Sequence, residues 1–356
     1  MTTSPRVSVV MTTYNGSQFV RETIDSILNQ SFSDFEFIII DDKSTDQTFE
    51  IITGYNDRRL RIYRNPQNLG VGATRNRGID LATGEYLAST DQNDISLPQR
   101  LERQVDFLDN NPAVILAGTA GWFLFAKNNS TIPYSAVQKP YVMHWGLLTQ
   151  TRLVPSSTCV RLETLRRHGI YFRPEYNYAD DFDLFHRLAQ VGDVVSIPDR
   201  LTMYRIHENN NTIYYAAEME TNGKRLLSEV YYNFLGLDLN PSDIDCIWRI
   251  FNLVKPARSR EDLFRAGELL QMLMRAYLKT KKLNDYQTQE VKAFASIDWW
   301  SAVSKAARVL GKPRIIKYYK EFPELSVTSP SFIEMGRMLA ISALGPRVID
   351  RLRRFR

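Results

Sequence analysis

Phe35-Glu-Phe-Ile-Ile-Ile40-Asp41-Asp42 is the stretch on which the fold turns. Its apolar run is nearly continuous, as in a parallel strand covered on both faces, and it stops at two acids. Upstream, Val7-Ser-Val-Val-Met11 reads as a second buried strand. Between them Val20, Ile24, Ile27 and Leu28 fall on one face of a helix from about Ser17 to Gln30, with Ser17 as its cap. Downstream the pattern predicts a helix from about Thr45 to Tyr55, a strand over Leu60–Arg64, a helix over Val71–Leu81 and a strand over Tyr86–Ala88. A helix from Pro98 to about Asn110 and a strand over Ala113–Gly118 follow. Strands alternating with helices across short loops predict an α/β architecture around a mostly parallel sheet. Polar residues gather just after the strands, at Thr12–Asn15, Asp41-Asp42 and Asp91–Asp94. In an open α/β sheet those carboxyl ends are where ligands bind.

From Thr119 to about Pro155 the pattern loosens and predicts loops and strands. Short helices are expected over Arg161–His168 and Asp181–Val191, and the chain from about Glu218 reads as mainly helical. Leu263, Leu270, Leu273, Met274 and Tyr277 mark one long amphipathic stretch there. The expected division is a first domain over residues 1–215 and a helical region over 216–356. A chain of 356 residues suits about two such units. With 44% hydrophobic and 24% charged residues it is not a disordered chain. Two cysteines, Cys159 and Cys246, exclude a disulfide framework, and with four histidines they exclude a Cys-rich zinc module. The expectation is a reducing, cytoplasmic setting with no signal peptide and no membrane span. The net charge of +5 suits a phosphate-bearing ligand or an anionic membrane surface. No aromatic-basic module is visible, so no nucleic-acid partner is expected.

Five stretches carry chemistry, each with a plainer structural alternative. Tyr14 can stack on a base and a carboxylate at Asp41-Asp42 can accept from a base N–H, or these acids merely cap a helix. Arg75 and Arg77, close to Gly70 and Gly72, can grip a diphosphate, or be solvated helix charges. Arg75 stands where a dinucleotide fingerprint wants its third glycine, so an NAD site is not indicated. Asp91-Gln-Asn-Asp94 offers oxygen ligands for a hard divalent cation, or a turn with capping acids. Asp180, Asp181 and Asp183 either hold a general base or favour a helix start through its dipole. His207 either completes a metal shell or is structural.

In this order the stretches resemble the family 2 glycosyltransferases of the GT-A fold. The matching segments are Ser8–Asn15, Ser26–Gln30, Phe35–Asp42, Ser44–Asp46, Asn68–Gly70, Arg75–Gly78 and Gly84–Tyr86. The acidic motif at Asp91, then Leu97-Pro98, Arg100-Leu101, Gln104, Asp180–Leu184 and Tyr204–His207 complete the series, which covers about residues 6–212. The resemblance implies a Rossmann-like GT-A domain followed by a mainly α-helical C-terminal region. It implies an inverting hexosyltransferase that moves a sugar from a nucleotide-diphosphate donor, UDP being the commonest, to a hydroxyl of a saccharide or lipid-linked saccharide in cell-surface polysaccharide assembly. Thr13, Tyr14 and Asp42 would hold the nucleoside, with Asn15, Asp41, Asn68, Arg75, Asp91 and Gln92 in the same donor pocket. Asp91, Asn93 and His207 would hold Mn²⁺ or Mg²⁺. Asp181 would be the general base, with Asp180 before it.

Two departures stand out. Asn93 occupies the place of the family's second metal-binding Asp, so a weakly held cation is expected, with Asp91 or Asp94 compensating. Asp180 replaces a Glu. The alternative reading is a catalytically weakened nucleotide-sugar-binding protein of the same fold. At the C-terminus Arg347, Arg351, Arg353, Arg354 and Arg356 surround Val348, Ile349, Leu352 and Phe355. This pattern suits peripheral contact with an anionic membrane face.

Overall fold

The structure, a computed structural model, describes residues 4–310 and 315–327. The basic C-terminal stretch from Arg347 to Arg356 lies outside the described residues. The described residues divide into two compact units, one formed by residues 4–140 and 153–210, the other by residues 141–152, 211–310 and 315–327.

The first unit is built on a sheet with nine strands among the described residues: β1 (Val7–Thr13), β2 (Phe35–Asp41), β3 (Leu60–Arg64), β4 (Tyr86–Asp91), β5 (Ile95–Ser96), β6 (Val114–Phe125), β7 (Ser130–Tyr134), β8 (Cys159–Arg161) and β9 (Asp193–Ile206). Their order is β3-β2-β1-β4-β8-β6-β9-β5, with β7 paired to β6. The ladders β1–β2, β1–β4, β2–β3 and β6–β9 are parallel, and the others are antiparallel. The chain steps outward from β1 to β3, then returns to the other side of β1 as β4. That reversal opens a crevice at the carboxyl ends of β1, β2 and β4. Register brings the polar ends level: Thr13 pairs with Asp41, Thr12 with Asp91, and Asp41 with Arg64.

All seven residues of β2 are buried, which its apolar run predicts for a strand between two layers. Val7, Val9 and Met11 of β1 and Phe35, Phe37 and Ile39 of β2 pack with Val20, Ile24 and Ile27 of the helix Val20–Leu28. On the opposite face the helix Val71–Leu81 lies close against the sheet at Gly78. A Cβ on Gly78 would stand 2.4 Å from Val10 Cγ1 and 3.6 Å from Ile40 Cδ1. This close approach sets how deeply Arg75, on the same helix, reaches the crevice.

Several sequence expectations are corrected. The first helix begins at Val20, not Ser17, and its cap position carries no side-chain bond. The Ser17 N–H donates to Asp46 Oδ2 at 3.2 Å, so this turn is organised by the loop after β2 rather than by self-capping. The second helix is only Thr48–Thr53. β6 continues to Phe125 and β9 spans fourteen residues; neither length was expected. Gly118 and Gly121 in β6 and Pro198 in β9 disguise these strands. The pair absorbs them with register shifts around Ala120.

The second unit is helical, with the helices Ala216–Val230, Pro241–Ile247, Arg260–Lys281 and Asp285–Leu310. In Arg260–Lys281 the stripe Leu263, Leu270, Leu273, Met274 and Tyr277 is buried, as its spacing predicts. Ser259 caps that helix by accepting from Asp262 N. Residues 141–152, where loops and strands were expected, instead carry most of the helix Pro140–Leu147 and join this unit. Trp145 and Trp299 are fully buried. Among the described residues no helix is long and apolar enough to cross a membrane.

Gly78→Val should force the helix Val71–Leu81 off the sheet and cost about 1–3 kcal/mol. Chemical denaturation measures this; an unchanged midpoint would show that the close approach is not needed.

Candidate functional site

Arg75 lies between two acids from distant parts of the chain. Its Nη2 is 3.0 Å from Asp91 Oδ1 at the end of β4, and its Nη1 is 3.2 Å from Asp180 Oδ2 at the start of the helix Asp180–Val191. The guanidinium also lies over the Phe172 ring, 5.3 Å from its centre. Burial disfavours the Arg75 charge, but Asp180 and Asp91 outweigh it and raise its pKa. Neighbouring Asn76 pairs with the Phe172 backbone in both directions, donating to its carbonyl and accepting from its N–H at 2.8 Å each. It ties the segment before the acidic helix to the helix that carries Arg75.

Asp180 and Asp181 differ in their roles. Asp180 is 3% exposed and faces Arg75. Burial raises its pKa, with Arg75 opposing. Asp181 is partly exposed. Burial, reinforced by the Asp180 charge, pushes Asp181 up to about 7. A carboxylate with that pKa takes a proton readily near neutrality. Asp183 turns away into the fold, fully buried and paired with Arg173 and Arg187.

At the ends of β1 and β2 the expected donor residues are unequally placed. Tyr14 is 45% exposed and Thr13 is buried beside it. Asn15 sits at φ 49° with its N–H on Ser44 Oγ and its Oδ1 accepting from Thr45 N. Asp41 is fully buried, paired with Arg64 Nε at 2.9 Å and accepting from Ser44 N. Through these contacts Asp41 shapes the loop after β2. Asp42 is 4% exposed, and both its oxygens already accept hydrogen bonds. Oδ1 takes Leu69 N (2.9 Å) and Asn65 Nδ2 (2.6 Å), and Oδ2 takes Gly70 N (2.9 Å). Asp42 therefore folds the loop on which exposed Asn68 stands.

The four residues Asp91–Asp94, at the end of β4 and in the turn after it, take different partners. Asp91 turns to Arg75, and Asn93 Nδ2 is 2.7 Å from His207 Nε2. Gln92 bonds to the Tyr14 backbone. Asp94 is buried, accepts from Arg205 N at 2.8 Å and from Ser156 Oγ, and is pushed up to about 8 by burial and by Asp91. It anchors the loop and is not placed to compensate for Asn93, contrary to expectation.

Asp91 contributes one carboxylate, Asn93 one amide oxygen once its amide turns, and His207 one imidazole. Burial, with Arg205 nearby, lowers the His207 pKa and keeps the ring neutral, while its buried Nδ1 has no hydrogen-bond partner. This donor set fits a divalent cation whose remaining ligands come from a diphosphate. It supplies a single formal negative charge. Among the described residues no three His, Cys, Asp or Glu side chains form a metal cluster.

Residues 8–157 match the model of glycosyl transferase family 2. The chain carries a family 2 glycosyltransferase domain. A glycosyltransferase of Haemophilus influenzae is 27% identical over 72% of this chain and 83% of its own length. A Bacillus subtilis glycosyltransferase named for teichuronic acid biosynthesis is 36% identical over 29% of this chain, which spans 42% of that relative. Among solved structures, Staphylococcus aureus TarS (residues 1–349) in complex with UDP-GlcNAc aligns with a TM-score of 0.52 at 20% identity, over 88% of this chain and 89% of that one. The mannosyltransferase PcManGT of Pyrobaculum calidifontis, in complex with GDP-Man and Mn²⁺, aligns with a TM-score of 0.52 at 17% identity, over 98% and 86%. At these identities the likeness establishes the fold, which is GT-A.

Because the folded-state pKa of Asp181 is raised, its contribution to stability is present below the unfolded carboxyl value and lost as pH rises through about 7. Asp181→Asn should therefore raise the melting temperature at pH 8 and leave it nearly unchanged at pH 4. Thermal melts at the two pH values test this; an equal change at both would refute it.

Proposed function

We propose that the family 2 glycosyltransferase domain transfers a hexosyl group, with inversion, from a nucleoside-diphosphate donor to a saccharide hydroxyl in cell-surface polysaccharide assembly. The observation that carries the reading is the Arg75 bridge, which sets a cationic group between Asp91 and the helix that presents Asp181. Asp181 takes the proton of the acceptor hydroxyl, and the oxygen attacks the anomeric carbon from the face opposite the diphosphate. The bond from that carbon to the diphosphate oxygen breaks in the same displacement, and the configuration inverts. Arg75 stabilises the charge that grows on the leaving diphosphate. A cation held by Asp91, Asn93 and His207 would add charge neutralisation there. Tyr14 stacks on the base and Thr13 lies beside it, with Asp42 acting through the loop it folds.

The UDP-GlcNAc bound by TarS and the GDP-Man bound by PcManGT support a nucleotide-sugar donor. The teichuronic acid relative supports a polysaccharide product, and the Mn²⁺ of PcManGT supports a divalent cation. Asn93 favours a second reading, a protein that binds nucleotide sugars without transferring them.

Thermal-shift titration with UDP, GDP, dTDP and CMP, each with and without Mn²⁺, tests the donor site. A shift with one diphosphate that grows with Mn²⁺ is expected; no shift with any nucleotide would defeat the reading. With a sugar donor built on the diphosphate that binds, transfer should rise with pH through an apparent pKa near 7 to a plateau and vanish in Asp181→Asn. Nucleotide binding with neither transfer nor donor hydrolysis would favour the second reading. Asn93→Asp should tighten Mn²⁺ binding about tenfold by restoring a carboxylate, and calorimetry showing no change would remove Asn93 from the ligand set.

A further inference from the structure

The backbone N–H groups of Tyr14, Asn15, Gly16 and Ser17 are each met by a side chain from elsewhere in the chain. Tyr14 N donates to Gln92 Oε1 (2.9 Å), Asn15 N to Ser44 Oγ (3.0 Å), Gly16 N to Thr48 Oγ1 (2.8 Å) and Ser17 N to Asp46 Oδ2 (3.2 Å). Three of these tethers come from the segment after β2. The fourth comes from between Asp91 and Asn93, and it is double, because Gln92 Nε2 also donates to the Tyr14 carbonyl at 3.0 Å. The side-chain amide pairs with Tyr14 as a neighbouring strand would, which restrains both sliding and rotation of the loop. Gly16 leaves room for it: a Cβ there would stand 2.3 Å from Gln92 Oε1.

The other side of the Asp91–Asp94 loop is held just as firmly. Asp94 accepts from Arg205 N at 2.8 Å, Arg205 Nε donates to the Asn93 carbonyl at 2.8 Å, and Thr23 Oγ1 donates to the Asp94 carbonyl at 2.8 Å. The loop therefore cannot take up a displacement toward His207 freely. A shift of Asp91 or Asn93 passes through Gln92 to the loop that presents Tyr14.

Building on the transferase reading, we propose that Gln92 is a positioning residue that couples the nucleoside loop to the diphosphate and cation loop, so that each half of the donor binds more tightly when the other is in place. Gln92 acts through the Tyr14 backbone, and the coupling is reciprocal because it is a difference in binding free energy. In this proposal Gln92 serves the donor pocket through the Tyr14 backbone, to which its amide is bonded.

The test uses the full chain and two donor fragments that share no bond. Uridine and guanosine carry no phosphate, so any effect they have on Mn²⁺-pyrophosphate binding passes through the protein. Calorimetric titration of Mn²⁺-pyrophosphate with and without saturating nucleoside should show about fivefold tighter binding in the unmodified chain. In Gln92→Ala that factor should fall to near one. Thr48→Val, which removes the Gly16 tether and the hydroxyl bond to Asp46 but leaves both Gln92 bonds, should weaken nucleoside binding and keep the factor, a separation that general loosening of the loop does not produce. If Gln92→Ala does not melt cooperatively, Gly16→Ala carries the comparison, because its Cβ displaces the Gln92 amide. A factor near one in the unmodified chain, or one unchanged in Gln92→Ala, overturns the coupling. An unmodified chain that also ignores intact UDP and GDP overturns the donor-site reading itself, so the two failures are told apart.

Discussion

The Arg75 guanidinium, set between Asp91 and Asp180, is the contact on which the candidate site depends. Without it three carboxylates would share one part of the crevice, with Asp181 beside Asp180, and their repulsion would be uncompensated. Removing one partner of such a buried group typically costs several kcal/mol, far more than an exposed pair contributes. The bridge also joins the end of β4, the helix after β3 and the helix that opens at Asp180. Its position rests on Gly78, which lets the Arg75 helix lie against β1, and on Asn76, which holds the Phe172 segment.

Much of the polar chemistry at the crevice is spent on building loops rather than on presenting groups to a ligand. Asp42 closes the loop up to Gly70, Asp41 holds Arg64, Asp94 holds Arg205 and Gln92 holds Tyr14. Each buried carboxylate accepts from backbone or guanidinium donors, as burial demands of a polar group. Tyr14 is exposed, whereas Asp91 bonds to Arg75, Asn93 to His207 and Asp181 to the Phe182 N–H within the crevice. This division explains how a motif can match a family residue by residue while only some of its acids face the cleft.

The proposed cation subsite would carry less charge than two carboxylates supply. Asn93 removes one negative charge, and Asp94 is turned inward where burial pushes it up to about 8. In that proposal cation affinity would lean on the diphosphate and on how the loop is held, which would give the neighbours of Asn93 more influence over the site than their own chemistry suggests.

The sequence by itself determined the order of strands and helices through β4, the buried character of β2, the stripe of the helix Arg260–Lys281 and the stretches that gather at the strand ends. Periodicity and strand-end polarity are local properties, so they are legible one segment at a time. Only the tertiary structure decided which acid faces what. Asp41, Asp94 and Asp183 cannot be told from Asp181 by residue type, because the difference lies in partners: Asp183 pairs with an arginine ten residues before it, Asp41 with one twenty-three residues on, and Asp94 bonds a backbone N–H 111 residues away. It also decided the full lengths of β6 and β9 and the place of residues 141–152, because glycines, a proline and non-local pairing override local propensity there.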